Sequence, residues 1–307
     1  MKFAPALFIA LVFGAVSAAS AAPVLFSDAG PFAFDIFSEV RLFRNELGTL
    51  NDNVASSFGS GRREINWDDV PEFVAAPHNL PANFFNGVSP RGVVLSTPGT
   101  GFEVSASLPS GTPVEFGNIN ATYSGLFRPF SAERLFTALG SNITDVNFFV
   151  PGSATAASVS AFGAVFTDVD LANVTSLQFF DLSNQSLGEF FVPAATGNET
   201  LSFLGVSFNA GERIGRVRIT SGNAVLGGNE AGRVDLVAMD DFIYAEPIAA
   251  ASTVPEPIAA ALTVPEPATL LLVGPLLAAL WILRRRRLSY GQREDSLRRL
   301  RKVTSRW

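Results

Sequence analysis

Between Phe84 and Tyr244 the chain is written as short β-rich runs separated by turn residues. The runs fall at 92–95, 101–107, 121–127, 145–150, 158–166, 176–181, 188–192, 200–208, 213–220 and 234–244. Phe102, Val104 and Ala106 alternate with Glu103 and Ser105, the period of a half-buried strand, and Ile143 opens a similar run toward Phe149. Regular spacing of this kind predicts an all-β, jelly-roll-like β-sandwich. One stretch keeps the other period. Ile36, Val40, Phe43 and Leu47 recur at helical spacing, and Gly48 stands where a capping glycine belongs, so an amphipathic N-terminal helix is predicted over 35–47. Two further apolar runs, 4–16 and 268–283, sit near the chain ends and carry no charge. The second would span ~24 Å as a helix, short of a ~30 Å bilayer core, a mismatch that snorkelling arginines can cover; it predicts a C-terminal transmembrane-like helix.

What flanks these two runs gives them a direction. Lys2 precedes the first, and Ala18, Ser20 and Ala22 follow it, which predicts a signal peptide over 1–22 removed by signal peptidase after Ala22, with Ser20 as second choice. Before the second run stand Val264, Pro265, Glu266 and Pro267; after it stand Arg284, Arg285, Arg286 and Arg287. The prolines hold Glu266 on extended backbone outside the helix, and the arginines act as a membrane stop that keeps to the cytoplasm. The folded body is therefore expected on the outer side. VPEPATLLL followed by RRRR resembles the PEP-CTERM sorting signal of exported bacterial proteins. That resemblance implies an exosortase-type transpeptidase as partner, cleavage near Pro-Glu-Pro, and a product that moves from the inner membrane to the cell surface or beyond. Two features depart from it: a second VPEP at 254–257, and a further twenty residues after the arginines. A permanent anchor that is never cut is the alternative.

The organisation read from these patterns is 1–22 signal peptide, 23–83 a helix and extended segment packed on the sandwich, 84–246 the sandwich, 247–263 an Ala/Pro linker, 264–287 the sorting signal and 288–307 a basic cytoplasmic tail. Charge follows the same division. Residues 284–307 carry +8 and Lys2 adds one, so the overall −6 leaves −15 on residues 3–283. A body this acidic has no clustered cations for phosphate, which argues against nucleic acid as a partner and suits divalent cations. The chain has 28 phenylalanines against three tyrosines, aromatic bulk that fills a sandwich without hydroxyls to satisfy.

Composition also narrows the chemistry. Without cysteine, thiol catalysis, thiolate metal sites and disulfides are excluded, and no lysine lies between Lys2 and Lys302. The one histidine, His78, sits in an Ala-Pro-His-Asn loop with no GxSxG elbow to frame a nucleophile. A non-enzymatic protein is the expectation. Acidic pairs point instead to a hard cation: Asp68 and Asp69 follow Trp67, Asp168 and Asp170 follow a strand, and Asp240 and Asp241 lie in the last strand. Calcium is the cofactor they suggest, bound by Asp241 or Asp240 with Asp168, Asp170 or Asp68. Strand alternation sends Asp240 and Asp241 to opposite faces, so one ligates and the other bonds backbone or arginine. The bland alternative is turn and strand-end carboxylates paired to Arg62, Arg63 or Arg91. Trp67 and Tyr123, if exposed, offer faces for sugar rings, with a core or hinge role as the other reading of Trp67.

Much of residues 30–246 also resembles a module of secreted bacterial proteins that has no established activity, through GRREINWDDVP (61–71), LPANFFN (80–86), SPRG (89–92), FGAVFTDVD (162–170) and VDLVAMDDFIY (234–244). Together the resemblances imply an exported surface or matrix protein associated with exopolysaccharide. A secreted carbohydrate-active hydrolase using Asp/Glu pairs, and a permanently anchored ectodomain, are the alternatives.

Overall fold

The computed structural model describes residues 22–250. The predicted signal peptide up to Ala21, the VPEP segments, the apolar run 268–283, the arginine block and the basic tail lie outside the described residues. Among those described, no helix is long and apolar enough to cross a membrane.

In chain order the elements are β1 (Val24–Gly30), α1 (Ala33–Leu47), β2 (Arg62–Ile65), α2 (Phe84–Gly87), β3 (Val93–Ser96), β4 (Gly101–Val104), β5 (Phe136–Leu139), β6 (Ile143–Phe148), β7 (Ala157–Ser158), β8 (Ala161–Thr167), β9 (Ser176–Phe180), β10 (Ser186–Phe191), β11 (Leu201–Ser207), β12 (Arg216–Thr220), β13 (Ala238–Ala245) and β14 (Ile248–Ala249). One antiparallel sheet runs β1-β11-β8-β13-β5-β4, with β2 also paired to β13; a second runs β10-β9-β12-β6-β3. The two pack face to face. Phe148 of β6 meets Phe162 of β8 and Tyr244 of β13 at ring separations of 6.2 and 5.6 Å. The architecture is thus the expected all-β sandwich with one long helix near its N-terminus.

That helix makes a third layer. Asp35 caps its start by accepting the Phe32 N–H at 2.9 Å, and Gly48 ends it at φ +85. Ile36, Val40, Phe43 and Leu47, the four positions picked out by the periodicity, are its buried residues. They lie on β1, β11 and β13. Close approach depends on two glycines placed directly opposite each other, Gly163 of β8 and Gly205 of β11. A Cβ on either would stand 2.8–2.9 Å from the Phe43 ring. With α1 on one face and the second sheet on the other, β8, β11 and β13 are buried along their whole length. The outer sheet keeps one face in solvent, and β12 shows the alternation this produces.

Two elements differ from the sequence reading. Strands β1 and β2 put the 23–83 segment inside the sheet; β1 shows no period because it is mostly exposed, and β2 alternates in burial but puts a charged Arg63 at one of its two inward positions. The 121–127 run is a turn, not a strand, and its Tyr123 is fully buried in a small second core with Phe116, Leu126, Phe127, Leu135 and Leu236. Trp67 is buried as well, stacked on Phe136 at 4.0 Å, its Nε1 donating to the Asp240 carbonyl at 2.9 Å. Neither ring is available to a sugar.

Candidate metal centre

Pairing of β8 with β13 decides which acids meet. The strands run antiparallel with Thr167 opposite Ala238, so the turn that leaves β8 and the loop that enters β13 share one end of the sheet. The turn holds Asp168 and Asp170; the loop brings Glu230 and Asp235. Asp168 sits at φ +69 with its N–H on the Thr200 carbonyl. Asp235 clamps the turn, each carboxylate oxygen accepting one backbone N–H, from Asp170 at 3.1 Å and from Leu171 at 3.2 Å. Gly222, at φ +63, is required beside it: a Cβ there would stand 2.1 Å from the Asp235 carbonyl oxygen. The Glu230 loop is fixed from below. The hydroxyl of Tyr123 donates to the Gly228 carbonyl at 2.7 Å and accepts the Gly227 N–H at 2.6 Å. Asn120 adds bonds to Gly228 and Asn229.

One carboxylate oxygen each from Asp168, Asp170 and Glu230 lies within 4.8 Å of the others. Oxygens sharing a calcium at ~2.4 Å can stand at most about 5 Å apart, so the three fit a common ion. Asp170 and Glu230 each accept one backbone bond, from Gly197 at 2.7 Å and Leu236 at 3.0 Å, which holds their side chains in place. Asp168 is different. It is fully buried and neither of its oxygens receives a hydrogen bond. Burial, with the charges of Glu230 and Asp170 and hydrogen-bonding contact with the Glu230 carboxyl, pushes its pKa up to about 9. Burial raises Glu230 and Asp235 too. No cation stands among the described partners of Asp168, Asp170 and Glu230, and a divalent ion held by one oxygen from each would supply the charge that Asp168 lacks.

The other predicted ligands go elsewhere. Asp68 accepts the N–H groups of Glu133 and Arg134 at 2.6 and 3.0 Å through one oxygen and the Asn66 amide through the other. Asp240 and Asp241 do not face opposite sides: a bulge between Met239 and Phe242 breaks the alternation and turns both carboxylates to the Ser131 hydroxyl. Asp240 also accepts the Phe130 and Ser131 N–H groups, at 2.6 and 3.1 Å. Arg44 of α1 reaches Asp241 at 3.0 Å and Glu64 at 2.8 Å. Of the five proposed ligands, Asp168 and Asp170 come together; Glu230 completes the cluster, and Asp235 holds the turn that carries them. His78 is exposed in a loop.

No family model matches the chain, and no curated protein matches it in sequence. Among solved structures, the enzymatically active domain of tailspike protein 4 from bacteriophage CBA120 is similar at 12% identity and a TM-score of 0.24, over 64% of this chain and 24% of that one. This chain therefore spans about a quarter of the tailspike domain.

Proposed function

We propose that this protein is an exported, non-enzymatic module of the cell surface or extracellular matrix, associated with polysaccharide and stabilised by calcium bound to Asp168, Asp170 and Glu230. Export rests on the N-terminal signal pattern and on the VPEP, apolar and arginine sequence at 264–287, which together call for signal peptidase and an exosortase-type transpeptidase. The observation that carries the cation is Asp168, a fully buried carboxylate whose two oxygens have no donor and which faces two fixed acids. Calcium suits it better than magnesium, because flexible coordination by bidentate carboxylates tolerates an irregular set of oxygens. A raised carboxyl beside two others is also the pattern of a general acid. Asp168, however, is shut off from any substrate, so a hydrolase is the weaker reading.

Calorimetric titration of the full chain with calcium tests this directly. One saturable site per chain, lost in Asp168→Asn, is the expected result; no saturable binding in the wild type removes the cation from the account. Intact-mass measurement of the protein from its host tests delivery: a chain that retains Met1 and Trp307 would overturn processing at both ends.

A further inference from the structure

A cavity of about 300 Å³ opens beside the C-terminal end of α1, between the Gly59–Gly61 loop, β11 and the chain entering β14. It is far from neutral in its chemistry. Arg213, Glu46, Ser160, Ser207, Asn209 and Ser60 supply its polar lining. Glu246 also lines it but is already spent: its carboxylate holds the buried Arg63 at 2.8 and 3.0 Å, the Asn51 amide at 2.9 Å and the Phe58 N–H at 3.1 Å. Arg213 is the opposite case. Its Nε donates to Ser158 Oγ at 3.2 Å and one terminal nitrogen donates to the Ser158 carbonyl, and no carboxylate among the described residues acts on it strongly enough to oppose its burial. Burial lowers its pKa with no acid to offset the effect. A guanidinium nonetheless stays charged at any physiological pH, so a partly desolvated cation faces a cavity lined by serine hydroxyls, by Glu46, which accepts a long 3.4 Å bond from Ser207, and by the apolar Leu47, Phe208 and Ile248.

We infer that this cavity binds a polyhydroxylated carboxylate of monosaccharide size, a hexuronate unit of an acidic polysaccharide. Arg213 pairs with the carboxylate, and Ser160, Ser207, Asn209 and Glu46 exchange hydrogen bonds with the ring hydroxyls. The volume sits at the small end of ligand sites, room for one sugar ring. Guanidinium and carboxylate match in planar, two-point geometry, and partial burial reduces the screening that weakens such pairs at a surface. Glu46 serves as an acceptor for hydroxyls, which a simple carboxylic acid lacks. The polysaccharide source rests on the matrix reading above; the geometry of the cavity does not.

The test is calorimetric titration of the full chain with sodium glucuronate, glucose, acetate and a galacturonate tetramer, each in EDTA so that uronate–calcium complexes cannot contribute. Glucuronate is expected to bind saturably, glucose and acetate at least about tenfold more weakly, the loss of one charge-assisted pair or of the hydroxyl contacts. Arg213→Gln should lose about tenfold or more. Asn209→Ala, on an exposed loop and therefore neutral for folding, should lose roughly threefold. Absence of saturable glucuronate binding, equal binding of glucose, or undiminished binding by both variants overturns the site. Tetramer binding at least as tight as the monomer supports the polymeric source; exclusion of the tetramer overturns that source. Glucuronate binding that persists when calcium titration has failed would overturn the cation reading alone, so the two proposals fall separately.

Discussion

Two acidic clusters occupy opposite circumstances in the same sheet. Around Asp240 and Asp241 every buried carboxylate has been given donors: two backbone N–H groups, the Ser131 hydroxyl and the Arg44 guanidinium. Around Asp168 the neighbouring acids are anchored by backbone, while Asp168 itself receives nothing. Both clusters bring acids together around a fully buried aspartate, Asp240 in the first and Asp168 in the second. By unmet acceptors they differ completely. Burying a carboxylate without donors is costly enough that a partner must be supplied, and only the second cluster still requires one. Acid density finds both; accounting for hydrogen bonds separates them.

The largest effect is expected where an acid that already has its donors is removed. Asp240→Ala leaves the half-buried Phe130 and Ser131 N–H groups without their acceptor, while the Ser131 hydroxyl keeps Asp241, and should cost about 3 kcal/mol in a denaturant titration, with calcium affinity unchanged. Next in size is the ion itself. Calcium at a hundred times its dissociation constant should stabilise the wild type by about 2.7 kcal/mol, and Asp168→Asn should abolish that gain when melting is followed with calcium and with EDTA. Proton linkage sharpens the contrast further. Asp168 has a folded pKa of about 9, above its unfolded value near 3.8, so the stability it contributes is fully present below pH 4 and is lost as pH rises toward 9. Metal-free protein should therefore lose stability across that window, Asp168→Asn should flatten the slope, and calcium affinity should rise with pH as the ion displaces the proton. The smallest effect is expected at Asp68→Asn, which keeps the oxygen that accepts the Glu133 and Arg134 N–H groups: about 1 kcal/mol of stability and less than a twofold change in calcium affinity. A large loss of calcium binding in that variant would mean that Asp68 belongs to the site after all.

The sequence made the helix legible because one face is buried and the other is wet, the condition under which period 3.6 appears. Alternation in β12 is visible for the equivalent reason. β1 left no signal, because an exposed edge strand imposes little on its side chains. Asp168 and Asp170 were readable as acids just beyond a strand. Glu230 and Asp235 were not, since what joins them to the turn is the adjacency of β8 and β13, a fact of sheet order that the long intervening chain, residues 171–229, conceals. The GGNEAGR stretch at 227–233 offered only a glycine-rich loop with one acid in it. Asp240 and Asp241 misled for a local reason: alternation holds only while the register holds, and the bulge suspends it at that dipeptide.

Gly163 and Gly205 have a consequence for assembly as well as for packing. The hollow that receives Phe43 exists only when these two residues lie opposite one another. Were β8 and β11 to slip by two residues, the same faces would remain inward and the sheet would still close, but each glycine would then oppose a residue with a side chain. Helix α1 would find no seat. The helix thus acts as a proofreader of the sheet, rewarding the one alignment that hydrophobic patterning alone does not distinguish from its neighbours.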